Sequence, residues 1–144
     1  MSKLAKTAKG ANQLRIIGGM WRSRRLEFPD IDGLGPDSDR VRETLFNWLQ
    51  ATIVGARCPD LFAGSGALGL EALSRGAASV TFVDQHPQAV TALCNNLRLL
   101  DSKAGNVVRA DALDYLQGEP QPFDIIFIDP PFHQQLLQPS LKLL

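Results

Sequence analysis

The chain has 144 residues, enough for one domain with a buried core, since domains commonly run to roughly 100–200 residues. Hydrophobic residues make up 44% of it and charged residues 21%, which excludes a disordered or collagen-like chain. No apolar run approaches the roughly 20 residues of a membrane-spanning helix, and no secretory pattern follows the first lysines. Cys58 and Cys94 have no metal-ligand partner at a suitable spacing, so we expect two free, buried thiols and no metal site.

The formal net charge of zero conceals two oppositely charged parts. Residues 1–26 hold seven lysines and arginines and no acid, and the rest of the chain holds 8 basic and 15 acidic side chains. A basic segment beside an acidic body suggests a polyanionic partner, although a solvated tail that aids solubility is an open alternative. We predict a basic arm or small β-hairpin over residues 1–36, and a second unit over residues 37–144.

From about residue 41 the chain alternates helical and strand patterns. Residues 41–49 have the apolar spacing of one helix face, and Asp39 is suited to the N-cap. Further helices are predicted over 67–74, 87–100 and 112–117, and strands over 60–62, 79–84, 106–109 and 123–129. The last strand is almost wholly apolar, so we expect it to be buried on both faces. The alternation predicts an α/β fold with a parallel sheet covered by helices.

A glycine-rich turn follows the first strand of this sheet. Gly64, Gly66 and Gly69 form GxGxxG, which alone is weak support for a dinucleotide site. The glycines let the backbone turn tightly, and the next helix presents its N-terminus to a ligand. Asp60, just before the turn, would repel a pyrophosphate but suits a cationic ligand. S-adenosyl-L-methionine, which carries an ammonium and a sulfonium group, is one such ligand.

Acidic residues end the next two strands, where an open parallel sheet binds its ligands. Asp84 can accept two hydrogen bonds from ribose hydroxyls, with a helix cap as the alternative role. Asp111 can meet an adenine amino group, although a cap for the helix from Ala112 is the more common role of such a residue.

Residues 129–132, with the sequence Asp-Pro-Pro-Phe, directly follow the last apolar strand. The prolines stiffen the turn and hold carbonyl groups outward, since neither has an N–H. The exocyclic amino group of a base is a poor nucleophile because its lone pair is delocalised. A carboxylate and a fixed carbonyl would orient that amino group towards a methyl donor, while Phe132 stacks on the base.

The motifs resemble those of Rossmann-like amino-methyltransferases that use S-adenosyl-L-methionine. They resemble more closely the RsmD family of bacterial 16S ribosomal RNA guanine-N2 methyltransferases. The similarity covers about residues 13–137 and lies in RIIGG (15–19), WR (21–22), DRVRETLFNWL (39–49), DLFAGSGALGLE (60–71) and DPPF (129–132). Because the motif of the arm and the DPPF motif occur together and in order, the resemblance is specific.

The resemblance implies methylation of a guanine N2 in the 16S rRNA of the assembled or assembling small ribosomal subunit. We expect a cytoplasmic monomer with no membrane partner. The implied S-adenosyl-L-methionine site consists of Arg40, Asp60, Phe62, Ala63, Gly64, Ser65, Gly66, Asp84, Asp111 and Ala112. The implied methyl-transfer residues are Asp129, Pro130, Pro131 and Phe132. The implied rRNA-binding residues are Arg15, Arg22, Arg24 and Arg25.

The chain departs from the family pattern in two places and ends early. Gly35-Pro36-Asp37 replaces the usual Arg-Pro-Thr, and Ser23 replaces a glycine. The family fold has seven strands, of which only four are found before Leu144. We therefore expect a Rossmann-like domain that lacks its last strands, with an open sheet edge, weak cofactor binding and no activity in this shortened form.

Three other functions remain open on the sequence alone. DPPF would equally serve an adenine-N6 DNA methyltransferase, and a shortened chain could act as an inactive RNA-binding protein. A nicotinamide-dependent dehydrogenase is disfavoured by Asp60. We assign no catalytic role to His86 or His133, and interpret Trp21 and Trp48 as packing residues, although Trp21 could touch RNA.

Overall fold

A computed structural model describes residues 11–29, 39–118 and 122–129. Its centre is a parallel sheet of β3 (Arg57–Asp60), β4 (Ser79–Asp84) and β5 (Gly105–Arg109), in the order β3-β4-β5. Each strand is followed by a helix, so all three strands point the same way and their carboxyl ends share one edge. The predicted α/β architecture with a parallel sheet is confirmed.

Four α-helices surround the sheet: α1 (Asp39–Trp48), α2 (Ala67–Ser74), α3 (Pro87–Leu99) and α4 (Ala112–Gln117). Local chemistry explains where they begin. α2 starts after Gly66, α3 starts with a proline at its first position, and the Asp111 carboxylate caps α4.

The core lies between the sheet and the helices α1, α2 and α3. Phe82, Leu70 and Leu93 are at most 1% exposed at its centre. Gly69 brings α2 close to β4, because a Cβ at this position would lie 2.3 Å from Phe82 Cε2. The third glycine of GxGxxG therefore serves helix–sheet packing here.

A β-hairpin precedes the sheet, as predicted for the basic segment. β1 (Ala11–Arg15) pairs antiparallel with β2 (Arg25–Pro29), and a short 3-10 helix over Gly19–Trp21 lies between them. Its apolar side chains join the same core as the sheet: Leu14, Ile16, Leu26 and Phe28. Ser23, where the resembling family has glycine, has a φ of 71°, a left-handed conformation that favours glycine. The division at residue 36 lies outside the described residues and stays a prediction.

The predicted strand over 123–129 is wrong in extent. Asp124, Ile125 and Phe127 hydrogen-bond to the β3 backbone, but only one bridge, between Asp60 and Phe127, is formed. In a complete parallel ladder Pro59 would donate to the carbonyl of Ile125, and proline has no N–H. The segment borders β3 on one side and is mostly half-buried, not buried on both faces.

Two side chains expected in the interior lie on the surface. Cys94 is exposed, because the inward positions of α3 are taken by Leu93, Asn96 and Leu97, whereas Cys58 is buried as expected. Trp48, at the end of α1, is 79% exposed, so its interpretation as a packing residue is wrong. Trp21 does pack against the core. Among the described helices, none combines the length and apolar character needed to cross a membrane.

Candidate active site

A glycine turn joins β3 to α2 at the carboxyl edge of the sheet. Gly64 and Gly66 have φ angles of 55° and 87°, which few residues other than glycine adopt without strain. A Cβ at Gly66 would also lie 2.5 Å from Leu93 Cδ2. Ala63 and Ser65, the other residues of the turn, are both buried. The turn therefore requires glycine at both positions, for its backbone conformation and, at Gly66, for its packing against α3.

Asp60 lies beneath the turn and is 1% exposed. Its Oδ2 accepts a hydrogen bond from the Gly69 N–H at 3.1 Å. Burial raises the pKa of Asp60 to about 7, the Gly69 N–H opposes that rise, and the charges of Asp129 and Asp84 add to it. Asp60, Asp84 and Asp129 thus lie at the carboxyl edge of the sheet, and this negative edge suits a cation.

Because the Asp60 carboxyl group is buried, we expect the free energy of unfolding to fall as the pH rises. The folded pKa lies above the ordinary aspartate pKa of 3.8, so on raising the pH the folded state keeps the proton to a higher pH than the unfolded state does. The favourable contribution of protonated Asp60 to the free energy of unfolding is therefore complete below about pH 4. It is lost as the pH rises to about 7, which lowers the free energy of unfolding by an amount on the order of 3 kcal/mol. Urea unfolding of the wild type and of Asp60→Asn between pH 4 and 8 measures it.

The Asp60→Asn side chain keeps an acceptor for Gly69 but cannot ionise. We expect its free energy of unfolding to vary less with pH, and to exceed that of the wild type at pH 8. Equal pH slopes for the two proteins would show that Asp60 does not titrate in this range.

Asp84 ends β4 and holds the glycine turn from the other side. Its Oδ2 accepts the Gly64 N–H at 2.8 Å, and its Oδ1 accepts the His86 N–H at 2.9 Å. The Nδ1 atom of the His86 ring lies 3.0 Å from the same Oδ1. The residue predicted to bind ribose therefore also organises the turn.

Most amide groups of the turn are already occupied within the chain. Gly66 N–H donates to the Ala63 carbonyl, and Ala67 N–H donates to Ser65 Oγ. The Gly64 and Gly69 amides are held by the two aspartates described above. A dinucleotide pyrophosphate needs free N–H donors and no adjacent carboxylates. This geometry disfavours a nicotinamide cofactor.

The remaining predicted cofactor residues lie at or near the same edge. Asp111 Oδ1 accepts from the amides of Leu113 and Asp114, so its cap role is present in the structure. Ala112 is buried and Phe62 is half-buried, and both belong to a second apolar cluster beside β4 and β5. Arg40 is exposed on the first turn of α1.

The first residue of the DPPF motif is described and the others are not. Asp129 is exposed and follows the segment that bridges to β3. Its charge contributes to the raised pKa of Asp60. Pro130, Pro131 and Phe132 lie outside the described residues, as does the Gly35-Pro36-Asp37 departure. Among the described residues no cluster of His, Cys, Asp and Glu could hold a metal ion.

A buried glutamate in α2 anchors the hairpin to the domain. Glu71 is fully buried and accepts the backbone amides of Ile17 at 3.0 Å and Gly18 at 2.8 Å. It also pairs with Arg42 at 3.3 Å and with Arg75 at 2.8 Å. One turn further, Ser74 Oγ donates to the Gly18 carbonyl and accepts the Trp21 amide.

Sequence reasoning missed this anchor, although the sequence contains a sign of it. Glu71 is the only charged residue between positions 61 and 74. Such a residue in a buried helix needs a charged or hydrogen-bonded partner. Arg42, 1% exposed on α1, is that partner, and it also binds Asp39 at 2.7 Å and the Arg15 carbonyl at 3.1 Å.

The four arginines predicted to bind RNA differ in their surroundings. Arg15 pairs with Asp39 at 2.8 Å, and the Arg24 side chain reaches the Leu99 carbonyl at 3.5 Å. Arg22 and Arg25 are exposed, and within the described part of the chain no acidic partner is recorded for either. These two side chains are the ones most free to meet a polyanion.

Comparison with known proteins identifies relatives along nearly the whole chain. A family model described as Conserved hypothetical protein 95 matches residues 14–144. The "Ribosomal RNA small subunit methyltransferase D" of Escherichia coli (strain K12) is 50% identical over 135 residues, which cover 94% of this chain and 68% of that protein. Its Haemophilus influenzae counterpart is 44% identical, with 99% and 76% covered.

A solved structure shows the same fold. A putative methyltransferase from Escherichia coli, yhhF, superposes with a TM-score of 0.85 at 48% identity, covering 92% of this chain and 72% of that one. The family match and the sequence identities, which extend over most of this chain and of each relative, all indicate the same family. The chain belongs to the ribosomal RNA small subunit methyltransferase D family.

Proposed function

We propose that this protein transfers a methyl group from S-adenosyl-L-methionine to the exocyclic N2 of a guanine in 16S rRNA of the small ribosomal subunit. Membership of a family of rRNA methyltransferases supports the reaction class. The observation that carries the proposal is the position of the buried Asp60 and of Asp84 beside a glycine turn whose amides are already bonded within the chain. We further propose that the protein acts as a cytoplasmic monomer.

The residues at this edge fit that cofactor. Its methionine end carries a positive charge, for which the buried Asp60 carboxylate offers a partner, with the exposed Arg40 available to a carboxylate group. Phe62 and Ala112 offer apolar surface beside β4, and Asp84 offers an acceptor for hydroxyl groups. When bound, the cofactor supplies an electrophilic methyl group on a sulfonium centre.

Asp129 performs the orienting step in this proposal. A carboxylate oxygen that accepts a hydrogen bond from the guanine amino group holds its nitrogen towards the methyl donor. From the sequence we expect a carbonyl of the DPPF motif to be the second acceptor and the Phe132 ring to stack on the base. The chain thereby restricts the rotation of the amino group and presents its lone pair in line with the methyl group. As the nitrogen–methyl bond forms, the methyl–sulfur bond would break to leave a neutral thioether, and the amino proton would pass to water.

Labelled methyl transfer to small subunits that lack the modification tests the function directly. We expect label in 16S rRNA and, after digestion, in N2-methylguanine. Label in adenine N6 of DNA would support the DNA methyltransferase instead. Subunit binding without any transfer, under saturating cofactor, would support an inactive RNA-binding protein.

We expect the exposed arginines of the hairpin to bind the phosphates of rRNA in a salt-dependent way. Replacing Arg22 and Arg25 by alanine removes two cations that have no acidic partner recorded within the described residues. We expect the affinity for small subunits to fall, and the slope of log affinity against log salt to decrease by about 2. Filter binding between 50 and 300 mM salt measures both.

Arg57→Ala is the matched control, because Arg57 is exposed but pairs with Asp124 at 3.4 Å. That variant should keep the wild-type slope. An unchanged slope in the Arg22/Arg25 double variant would exclude the hairpin tip as an RNA contact.

A further inference from the structure

The hairpin lies against the second half of α3. The Arg24 guanidinium donates to the Leu99 carbonyl at 3.5 Å. The side chain of the buried Asn96 donates to the Glu27 carbonyl of β2 at 2.9 Å. The surface at the end of α3 is therefore continuous with the basic hairpin.

The end of α3 adds two cations to this surface. Arg98 and Lys103 are both exposed, and the Arg98 guanidinium donates to the neutral Asn95 side chain at 3.0 Å. The ion pairs found within the described part of the chain involve neither Arg98 nor Lys103. Both charges can therefore meet an external anion.

A tight turn after α3 fixes the backbone that carries both cations. The Asp101 N–H donates to the Arg98 carbonyl and the Ser102 N–H donates to the Leu97 carbonyl, each at 3.0 Å. Gly105 lets β5 begin close to the helix, because a Cβ there would lie 2.6 Å from Leu97 Cδ2. A fixed backbone lowers the entropy that is lost when a ligand binds. The turn thus preorganises the two cations.

Arg98 and Lys103 also line a cleft of about 460 Å³ at the end of α3. Ser102 and Asn106 line the same cleft and add a hydroxyl and an amide donor, while Asp101 contributes one acid. Proteins bind the phosphate oxygens of nucleic acids with arginine, lysine, serine and asparagine side chains. The donors of this cleft therefore suit a phosphate group.

Charge is distributed unevenly between the two ends of the domain. Two exposed acids, Glu27 and Asp101, lie near the hairpin tip and the end of α3. The exposed cations of this region are Arg22, Arg24, Arg25, Arg98 and Lys103. At the carboxyl edge of the sheet, aspartates end or follow the strands: Asp60, Asp84, Asp111 and Asp129. RNA phosphates are attracted to the first region and repelled by the second.

Helix α3 connects these two regions. Its N-cap, His86, donates to Asp84 at the carboxyl edge, and its last residue, Leu99, accepts the bond from Arg24. The 13 residues of α3 span roughly 20 Å at about 1.5 Å per residue. A phosphate bound at the end of α3 is therefore remote from the edge at which we propose methyl transfer.

We propose that Arg24, Arg98 and Lys103 form an rRNA-binding surface, the α3 basic surface, which binds phosphates remote from the target nucleotide. This inference rests on the proposed rRNA substrate. It extends the RNA contact from the hairpin tip onto the sheet domain, to which Arg98 and Lys103 belong. Because the bound phosphates and the target base must lie at a set separation, the two contacts together favour an RNA whose shape the ribosomal subunit fixes.

Filter binding of small ribosomal subunits by the double variant Arg98→Ala/Lys103→Ala tests this surface. We expect the affinity to fall at least about fivefold, and the slope of log affinity against log salt to decrease by about 2, because each cation neutralises about one phosphate. The affinity for S-adenosylhomocysteine, measured by calorimetry, should equal that of the wild type. That second measurement also shows that the variant is folded.

A variant of opposite sign sharpens the test. Asp101→Asn removes the acid from the cleft, and asparagine tolerates the left-handed conformation of this position, where φ is 54°. Its affinity for small subunits should rise by about twofold or more. Arg57→Ala is again the matched control, because Arg57 is paired with Asp124, and it should keep the wild-type affinity and slope.

The outcomes separate this inference from the proposed function. Wild-type affinity and slope in the Arg98/Lys103 double variant would overturn the α3 basic surface and leave the proposed function standing. An equal loss in Arg57→Ala would also overturn it, because total charge rather than position would then set the affinity. Failure of the wild-type protein to bind small subunits would overturn the proposed rRNA substrate, and the α3 basic surface with it.

Discussion

Replacing Glu71 by alanine is expected to lower the free energy of unfolding by about 3 to 5 kcal/mol, the usual cost of removing one partner from a buried ion pair. The reason is that Arg42, which is 1% exposed and whose Nη1 lies 3.3 Å from Glu71 Oε1, loses its buried carboxylate partner and keeps only the exposed Asp39 and the Arg15 carbonyl. The Arg42 Nε atom is already buried without a hydrogen-bond partner in the described structure. Urea unfolding measures the loss.

The same substitution should loosen the hairpin. The amides of Ile17 and Gly18 both donate to Glu71, and an alanine leaves these buried donors unsatisfied. Because Trp21 packs against the core next to this contact, its fluorescence should respond at lower urea concentration than the helical signal does. Loss of two-state unfolding would therefore accompany the loss of stability.

Two variants serve as controls for Glu71→Ala. Glu71→Gln keeps an acceptor for the amides but removes the charge, so its destabilisation measures the loss of the buried negative charge beside Arg42 and Arg75. Glu43→Ala removes an exposed glutamate of α1 and should change the stability by no more than about 0.5 kcal/mol. If Glu71→Ala were as mild as Glu43→Ala, the buried network would contribute little to the fold.

Replacing Asp129 by alanine should reduce methyl transfer at least a hundredfold while leaving cofactor affinity within about twofold of the wild type. A misoriented reacting group costs a rate factor of roughly this size. Asp129 is exposed at the sheet edge, at the end of the segment that bridges to Asp60 of β3. Single-turnover transfer to small subunits and calorimetric titration of S-adenosylhomocysteine measure the two quantities.

Asp129→Asn distinguishes hydrogen-bond acceptance from charge. Its amide oxygen can still accept a bond from the guanine amino group, so we expect it to retain more activity than alanine does. Asp114→Ala, an exposed change on α4, should retain wild-type transfer. A fully active Asp129→Ala would exclude the orienting role, and a parallel loss of cofactor binding would assign Asp129 to cofactor binding instead.

Elements with strong local determinants were predicted with their observed bounds. α2, β4 and α4 begin and end where the sequence patterns place them. A glycine turn precedes α2, β-branched residues fill β4, and an aspartate caps α4. These determinants act within a few residues, so no tertiary information is needed to recognise them.

Features that depend on distant residues were not predicted. The strand over 123–129 is incomplete because of Pro59, which is far from it in sequence but adjacent in space. The exposure of Trp48 depends on what packs against the end of α1. The bond between Asp84 and the Gly64 amide likewise joins residues that no local pattern connects.

The sequence by itself determined the α/β alternation, the glycine turn, the acidic residues at the strand ends and the basic character of the N-terminal segment, because each depends on residue type and short-range spacing. Only the tertiary structure decided that Glu71 and Arg42 tie the hairpin to the sheet, and that Asp84 holds the amide of Gly64. Burial explains the difference. A carboxylate becomes an anchor or a cation site only when folding removes it from water and sets its partners around it.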